Sequence, residues 1–234
     1  GFVLPTMAAR YLATIDRLSE GRVGVQIIVG ADDRAGQADG AFNTKDQRYH
    51  IAAEYVEVMR KMWSATEPFD FDGEFYTFKN AFALVRPKDG AIPVYWGGTS
   101  DLALDLAGKC ADVYALGGDT FAGAGELAGK ALAAAERHGR DLKVLMTMVV
   151  IVGETEEAAW ERANTLYENV VAQGTPGIMA AHEKEGDAPA AGAFQRMLQR
   201  AQEGERLDRC LWTGLNKAFK GRGNNSVLVG TVDQ

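Results

Sequence analysis

The chain has 234 residues, of which 47% are hydrophobic and 24% charged, and its formal net charge is −7. Such a length can bury a substantial core, as one large domain or two small ones. The chain has 25 Lys and Arg against 32 Asp and Glu and contains no dense basic run, which argues against nucleic acid and an anionic membrane surface as partners. No segment approaches the roughly 20 apolar residues of a membrane span.

A short apolar strand, a glycine-rich or polar loop and an amphipathic helix alternate along the chain. Several of the strands are nearly continuous apolar runs, which is typical of parallel strands covered on both faces. The strands are predicted at residues 23–29, 92–96, 113–116, 144–152 and 227–229. The alternation predicts an α/β fold with a parallel sheet.

Both a (β/α) barrel and a doubly wound sheet fit this alternation. No G-x-G-x-x-G follows any strand, which disfavours a doubly wound dinucleotide-binding domain. Five strands are too few for an eight-stranded barrel, so the sequence is interpreted as one piece of a longer barrel protein.

The helix after residue 44 has the clearest start signal. Thr44 and Gln47 have the spacing of a capping box, in which two side chains satisfy two free backbone amides. Behind them, apolar residues recur at three- and four-residue spacing and predict one buried stripe. These residues are Ala52, Tyr55, Val56, Met59 and Trp63.

Two segments interrupt the alternation. Residues 69–87 are rich in aromatic side chains, and Asp72-Gly73 is a hairpin turn signal, so this segment is predicted to be an insertion that packs over the barrel. Residues 174–192 contain four glycines and two prolines with little periodicity. Such long irregular loops are usually functional or disordered, and the hypothesis here is a lid over a binding site.

The stretch 92–101 (IPVYWGGTSD) carries the strongest chemical signal. A strand runs into Gly97 and Gly98, and then Thr99 and Ser100 open a helix. Glycines let a phosphate approach the backbone, and free amides at a helix start attract its charge. The alternative is an ordinary strand-to-helix turn with Thr99 as the N-cap.

Two further features could contribute to a binding site for a phosphate-bearing ligand. Val29 and Gly30 end a strand, where Gly30 would let a flat ring approach; the alternative is a tight turn in which Asp32 and Asp33 act as caps. Tyr49 lies in the first turns of its helix, where it either reaches a ligand phosphate or simply packs in the core.

The remaining reactive side chains give no catalytic set. Arg222 lies between glycines just before the last strand, a position that suits either anion recognition or a solvated loop charge. The histidines form no triad with a nucleophile and a carboxylate. Cys110 and Cys210 have no ligand-like spacing to them, so both thiols are expected to be free, buried and in a reducing cytoplasmic environment, with no metal site.

Taken together, these stretches resemble the bacterial luciferase-like flavin-dependent monooxygenases, and specifically the branch that contains alkanesulfonate monooxygenases. The matches run in order along essentially the whole chain. They are residues 5–10 (PTMAAR), 13–22 (ATIDRLSEGR), 48–49 (RY), 53–55 (AEY), 95–101 (YWGGTSD), 154–160 (ETEEAAW), 211–214 (LWTG) and 228–231 (LVGT).

The resemblance implies a (β/α)₈ TIM barrel that this chain covers only in part, without the first strands and the last strand–helix region. It implies a two-component monooxygenase: an NAD(P)H-dependent flavin reductase supplies reduced FMN, which reacts with O₂ to oxygenate a small organic substrate. The FMN phosphate would lie on the loop Gly97, Gly98, Thr99 and Ser100 with help from Tyr49, and the flavin ring near Val29 and Gly30. A homo-oligomer is expected for the full-length protein.

The departures from the family concern the substrate. Alkanesulfonate members carry an inward Arg and His on the strand matching 144–152, where this chain has Thr147 and Val149, and a Trp where this chain has Gly117. Arg222 matches the family's loop arginine. Without the inward cation, a desolvated sulfonate is harder to bind, which favours a less charged substrate or another organosulfur compound, contacted by Arg222 and Thr147.

Two alternatives stay open. Related barrels use a deazaflavin as a hydride carrier instead of FMN with O₂, and a flavin-binding protein without turnover would have the same phosphate loop. No catalytic residue is assigned.

Overall fold

The structure is a computed structural model that describes residues 3–30, 33–173, 192–219 and 226–234. Arg222, Asp32 and most of the predicted lid lie outside the described residues. The chain divides into two units, one comprising Gly1–Tyr114 and Lys130–Lys143 and the other Ala115–Gly129 and Val144–Gln234.

The first unit follows the predicted order of strands and helices. Its elements are α1 (Pro5–Leu18), β1 (Val25–Ile27), α2 (Asp33–Ala38), α3 (Lys45–Ser64), β2 (Phe69–Asp72), β3 (Thr77–Ala81), β4 (Val94–Trp96), α4 (Asp101–Cys110), the start of β5 (Val113–Gly117) and the end of α5 (Phe121–Arg137).

A parallel sheet orders the first unit. β4 lies between β1 and β5, with Gln26 opposite Tyr95 and Tyr95 opposite Val113. Val94 and Trp96 are fully buried because the apolar face of this short strand is covered. The predicted parallel α/β arrangement is confirmed, although the strands are shorter than the apolar runs.

Helix α3 begins as predicted. The Thr44 hydroxyl accepts from the amide of Gln47, and the Gln47 side chain accepts from the amide of Thr44. Met59 and Trp63 of the predicted stripe are buried, and the Trp63 indole donates to the carbonyl of Ala9 in α1 at 3.0 Å. Two other stripe positions, Ala52 and Tyr55, are only half-buried.

The predicted hairpin is also present. β2 and β3 pair in antiparallel orientation with Asp72 opposite Thr77. The carboxylate of Glu54 in α3 accepts the amides of Glu74, Phe75 and Tyr76 at 2.7–3.2 Å. These bonds attach the turn to α3, since a carboxylate can satisfy several converging amides.

The second unit begins within β5, which neighbours β6 in the strand order. The second unit contains the end of β5 and the start of α5. Its other elements are β6 (Lys143–Thr147), β7 (Val149–Val152), α6 (Glu156–Gln173), α7 (Gly192–Glu203), β8 (Arg206–Leu207), β9 (Leu211–Trp212), α8 (Gly214–Ala218) and β10 (Val227–Gly230). β10 pairs in parallel with β7 and in antiparallel with β9.

A small core holds α6 against this sheet. Trp212 is 1% exposed, and the rings of Trp160 and Tyr167 meet it edge-on with centroids 6.1 and 6.3 Å away. Ala159 and Ala163 of α6 are fully buried beside it, since small residues let a helix approach a sheet closely.

The predicted single buried strand 144–152 is wrong in two respects. The run is interrupted at Met148, because β6 is a neighbour of β5 whereas β7 pairs with β10. It is also exposed: Leu145 is 44% and Val150 60% accessible. An apolar run is buried only where other elements cover it. Ile151 of β7 packs against the core formed with α6, whereas the neighbouring side chains of β6 and β7 stay accessible.

The cysteine prediction is half correct. Cys110 and Cys210 are both free, but only Cys110 is buried and Cys210 is half-exposed. Among the described residues, no three His, Cys, Asp or Glu side chains could together hold a metal ion. In the same part of the chain, no helix combines the length and apolarity needed to cross a membrane.

Candidate functional site

The loop that joins β4 to α4, residues 97–100, is the start of the candidate site. Gly97, Gly98, Thr99 and Ser100 are all half-exposed. The Ser100 hydroxyl accepts from the amide of Ala103 at 3.3 Å, so Ser100 is the N-cap and the expectation for Thr99 is wrong. Helix α4 therefore begins at Asp101, one residue later than it would with Thr99 as the N-cap, and the Thr99 hydroxyl is not used for capping.

Gly98 is required by the shape of this loop. Its φ of +130° lies in a region that L side chains rarely adopt. A Cβ added there would overlap with the hydroxyl of Tyr49 and the methyl group of Ala103. The backbone of the loop and the phenol of Tyr49 are therefore in direct contact.

Tyr49 packs in the core, as one of the two sequence interpretations predicted, and its hydroxyl also lies against the 97–100 loop. The residue is 6% exposed, and its ring packs beside Trp96 with centroids 6.1 Å apart. Burial raises the pKa of its phenol against the opposing effect of Arg48. The hydroxyl is therefore protonated at neutral pH, packed against the loop and able to donate a hydrogen bond.

Tyr114 is a site residue that sequence reasoning missed. Its hydroxyl donates to the carbonyl of Gly98 at 2.8 Å, which holds the loop from the side of β5. Tyr114 lies opposite Trp96 in the strand register, and only that register brings it to the loop. The one available signal was a tyrosine near the start of the next predicted strand.

Arg48 was missed as well, and it fixes the end of the first strand. Its Nε donates to the carbonyl of Val29 at 3.1 Å, and one terminal nitrogen contacts the carbonyl of Asn43 and the carboxylate of Asp33. Gly30 has a φ of +92°, a backbone conformation that favours glycine. Asp33 serves as an ion-pair partner of Arg48.

Of the two predicted substrate residues, the structure describes only Thr147. Thr147 ends β6 in the second unit and is exposed, whereas every described candidate for cofactor binding lies in the first unit. Arg222 lies outside the described residues, as do residues 174–191 of the predicted lid.

The 97–100 loop offers donors that could hold the phosphate group of a cofactor. Within the described ranges, no protein acceptor contacts the amides of Gly98 and Thr99. Free amides at the start of α4 and a protonated phenol are suitable donors for an anion. The indole Nε1 of Trp96 is also buried without an acceptor in this part of the chain.

These features define an α/β protein with parallel strands and a glycine-rich loop at the end of one strand, with backbone amides that are free in the described chain. A sequence model of luciferase-like monooxygenases matches residues 2–234. The chain belongs to this family. Expectation and comparison agree on the family.

Solved structures of TIM-barrel luciferase-like proteins have the same fold. EDTA monooxygenase from Chelativorans sp. BNC1 is 22% identical, with a TM-score of 0.74 over 100% of this chain and 61% of that one. DmoA from Hyphomicrobium sulfonivorans is 22% identical, with a TM-score of 0.72 over 98% and 56%.

An F420-dependent secondary alcohol dehydrogenase is 25% identical, with a TM-score of 0.58 over 67% of this chain and 48% of that one. The chain thus spans about half to three fifths of the length of these three proteins. The strands of the described residues form two four-stranded sheets and one hairpin, and they close no barrel.

Proposed function

We propose that this chain binds reduced FMN and belongs to a two-component monooxygenase that transfers one oxygen atom from O₂ to a small organic substrate. The observation that carries the proposal is the contact between the Tyr49 hydroxyl and Gly98 in the 97–100 loop. This contact places a neutral phenol donor beside amides that have no acceptor in the described chain.

The residues of the first unit have distinct roles in this proposal. The amides of Gly97, Gly98 and Thr99, with the hydroxyls of Thr99 and Tyr49, hold the phosphate. The positive φ of Gly30 lets the flavin ring approach the end of β1. Tyr114 and Arg48 do not touch the flavin; they position the loop and the strand end.

Reduced FMN, when bound, supplies the reaction with O₂, and a separate NAD(P)H-dependent flavin reductase supplies the reduced flavin. The protein binds and orients the cofactor and excludes water. We assign no acid or base, because no side chain near the 97–100 loop forms a nucleophile–base pair among the described residues.

The substrate is proposed to be small and less charged than an alkanesulfonate, with other organosulfur compounds included. Thr147 stands where the related branch has an inward cation, and a hydroxyl binds a neutral polar group better than it binds a desolvated sulfonate. Arg222 is the proposed contact for any remaining anionic end. A homo-oligomer remains part of the proposal for the longer protein.

The test is an anaerobic titration with reduced FMN, followed by admission of air and measurement of O₂ consumption. We expect Tyr49→Phe to weaken flavin binding about tenfold, since one hydrogen bond to a charged group is lost. Gly98→Ala should abolish binding, because its Cβ overlaps with the Tyr49 hydroxyl.

Two matched variants serve as controls. Tyr55→Phe removes a phenol from the same helix, and Gly129→Ala adds a methyl group in open space on α5. Both should bind flavin as the unchanged chain does. Equal loss of binding in Tyr49→Phe and Tyr55→Phe would contradict the phosphate site.

A deazaflavin enzyme is the second candidate, since one similar structure is an F420-dependent dehydrogenase. Deazaflavin cofactors also carry phosphate, so the 97–100 loop serves either group. Tight binding of F420 with hydride transfer and no O₂ uptake would favour this candidate. Binding of reduced FMN without O₂ uptake would favour a flavin carrier without turnover.

A further inference from the structure

Helix α1 turns its large apolar side chains away from the rest of the first unit. At about 100° per residue, five such side chains of the helix and its N-cap fall within an arc of about 80°. They are Leu4, Met7, Tyr11, Ile15 and Leu18, and they are 42–80% exposed. We call this row of side chains the α1 stripe.

The opposite side of α1 has the reverse character. Its buried residues are small or polar, namely Pro5, Thr6, Ala9, Ala13 and Asp16. This side faces α3, where the Trp63 indole donates to the carbonyl of Ala9. A helix that packs only within its own unit puts its large apolar residues on the buried side. The α1 stripe therefore indicates a surface that another molecule covers.

A second segment extends the α1 stripe on one side. Arg10 and Arg17 donate to backbone carbonyls at the two ends of residues 82–86, each at 2.8 Å. These bonds hold the segment alongside the helix, and its Leu84 and Val85 are 91% and 45% exposed. We call the stripe and these two side chains together the α1 face.

The area of the α1 face is typical of a protein interface. With roughly 150 Å² for a fully accessible large apolar side chain, the exposed fractions of its members amount to about 600 Å². Monomeric proteins rarely expose a contiguous apolar patch above a few hundred Å². A stable dimer buries about 800 Å² on each partner, a little over half of it apolar. The α1 face is therefore large enough for the apolar centre of a dimer interface.

The α1 stripe is complementary to itself when it is reversed. Leu4 and Leu18 are each seven positions from Tyr11, and Met7 and Ile15 are each four positions from it. Two copies of α1 in antiparallel orientation therefore place leucine opposite leucine, methionine opposite isoleucine and tyrosine opposite tyrosine. A contact around a two-fold axis requires this kind of self-complementarity.

We propose that the α1 face binds a second copy of this chain, with the two α1 helices antiparallel and the two-fold axis at Tyr11. The phenol rings meet at the axis, since tyrosine combines a large apolar area with a hydroxyl that stays in contact with water. Arg10 and Arg17 lie at the polar rim. This inference names the contact face of the homo-oligomer and does not depend on flavin binding.

The first test is sedimentation velocity of the whole chain over about a hundredfold range of concentration, where we expect a reversible monomer–dimer equilibrium. Tyr11→Glu should raise the dissociation constant at least about tenfold, because two like charges then face each other where water is excluded. Leu132→Glu is the matched control. Leu132 is 44% exposed on α5, outside the α1 face, and its substitution should leave the dissociation constant unchanged.

A cysteine at the axis tests the orientation of the helices. Helix axes about 8–10 Å apart, with a backbone radius of about 2.3 Å, place the two Cα atoms at position 11 roughly 4–6 Å apart, within reach of a disulfide. In a Cys210→Ser background, Tyr11→Cys should therefore form a covalent dimer on mild oxidation. Thr14→Cys is the control, since the antiparallel register separates the two copies of this exposed position by about 9 Å along the helix.

A chain that stays monomeric at every concentration would mean that something other than a second copy covers the α1 face, and it would overturn the proposal. Equal effects of Tyr11→Glu and Leu132→Glu, or equal crosslinking of Tyr11→Cys and Thr14→Cys, would overturn it as well. Circular dichroism and thermal melting verify that each variant is folded. Titration with reduced FMN keeps the two proposals separate, because Tyr11→Glu should bind flavin as the unchanged chain does.

Discussion

Two aspartates of this protein are each held between two arginines, and the two clusters are built differently. In the Asp119 cluster, Arg196 and Arg200 of α7 both donate to the carboxylate through Nε. In the Asp112 cluster, the arginines donate through Nη2, and both Nε atoms stay without a partner in the described chain.

The Asp119 cluster is closed. The Asp119 side chain is 5% exposed, and the amide of Thr120 also donates to it at 2.7 Å. The remaining donors of Arg196 reach the Gly123 carbonyl and Glu126, and those of Arg200 reach Glu203. Such an arrangement stabilises the structure and offers little to a ligand.

The Asp112 cluster is open by comparison. The side chain of Asp112 is 33% exposed, and Arg60 and Arg140 are about as accessible. The same residue types therefore form a fully paired cluster in one place and a partly paired, partly exposed cluster in the other. Which nitrogen faces the carboxylate determines which donors of an arginine are left without a protein partner.

The largest effect is expected from Asp119→Asn, which leaves two arginines beside a neutral group in a buried site. We expect a loss of about 3 kcal/mol in the free energy of unfolding. Urea unfolding monitored by circular dichroism measures it. Asp105→Asn is the control: this carboxylate is 43% exposed beside Arg137, so its loss should be below about 1 kcal/mol.

The Asp119 cluster should also respond to acid. Burial would raise the pKa of Asp119, but the bonds from Arg196, Arg200 and Thr120 outweigh it and hold the pKa below its usual value. A lowered pKa in the folded state means that this stability is present above the unfolded pKa of about 3.9 and is lost as the pH falls through the folded pKa.

The measurement is the difference in unfolding free energy between the unchanged chain and Asp119→Asn as a function of pH. It should be constant near neutrality and shrink only below about pH 4. A difference that already shrinks between neutrality and mild acid would mean that the carboxylate is not held by the two arginines.

Asp112→Asn should cost less, about 1 to 2 kcal/mol, because the carboxylate is partly exposed and the arginines can turn toward water. Urea unfolding of the two variants measures the difference. An equal loss in Asp112→Asn and Asp119→Asn would remove the distinction between an open and a closed cluster.

The smallest effect concerns the thiol of Cys110, whose carbonyl accepts a hydrogen bond from Arg60 of the Asp112 cluster. Burial raises the pKa of Cys110 to about 11. Iodoacetamide at pH 8 should therefore label Cys210 first, since only about one Cys110 thiol in a thousand is ionised. Mass spectrometry after tryptic digestion measures the order, and Cys210→Ser should abolish fast labelling. Rapid labelling of Cys110 in the folded chain would mean that its thiol becomes accessible to solvent through local opening of the structure.

Features that depend on neighbouring residues were predictable from the sequence. The capping box of Thr44 and Gln47 and the hairpin turn after Asp72 formed as expected. The 97–100 loop also follows β4 as predicted. Each of these rests on hydrogen bonds or backbone preferences within a few residues, which a sequence pattern contains directly.

Burial of an apolar run was less predictable. Residues 144–152 and 113–117 have similar apolar patterns, yet Tyr114 is fully buried whereas Val150 is 60% exposed. Composition describes what a strand can bury, and only the surrounding elements decide whether it is covered.

The sequence by itself determined the family, the parallel α/β order and the glycine-rich loop after β4, because glycines, hydroxyls and short apolar strands act locally. Tertiary structure alone decided which charges meet. Arg60 and Arg140 are 52 and 28 residues from Asp112, and no spacing rule joins them. The contacts that bring them together depend on the packing of helices around the sheet, where long-range geometry outweighs local preference.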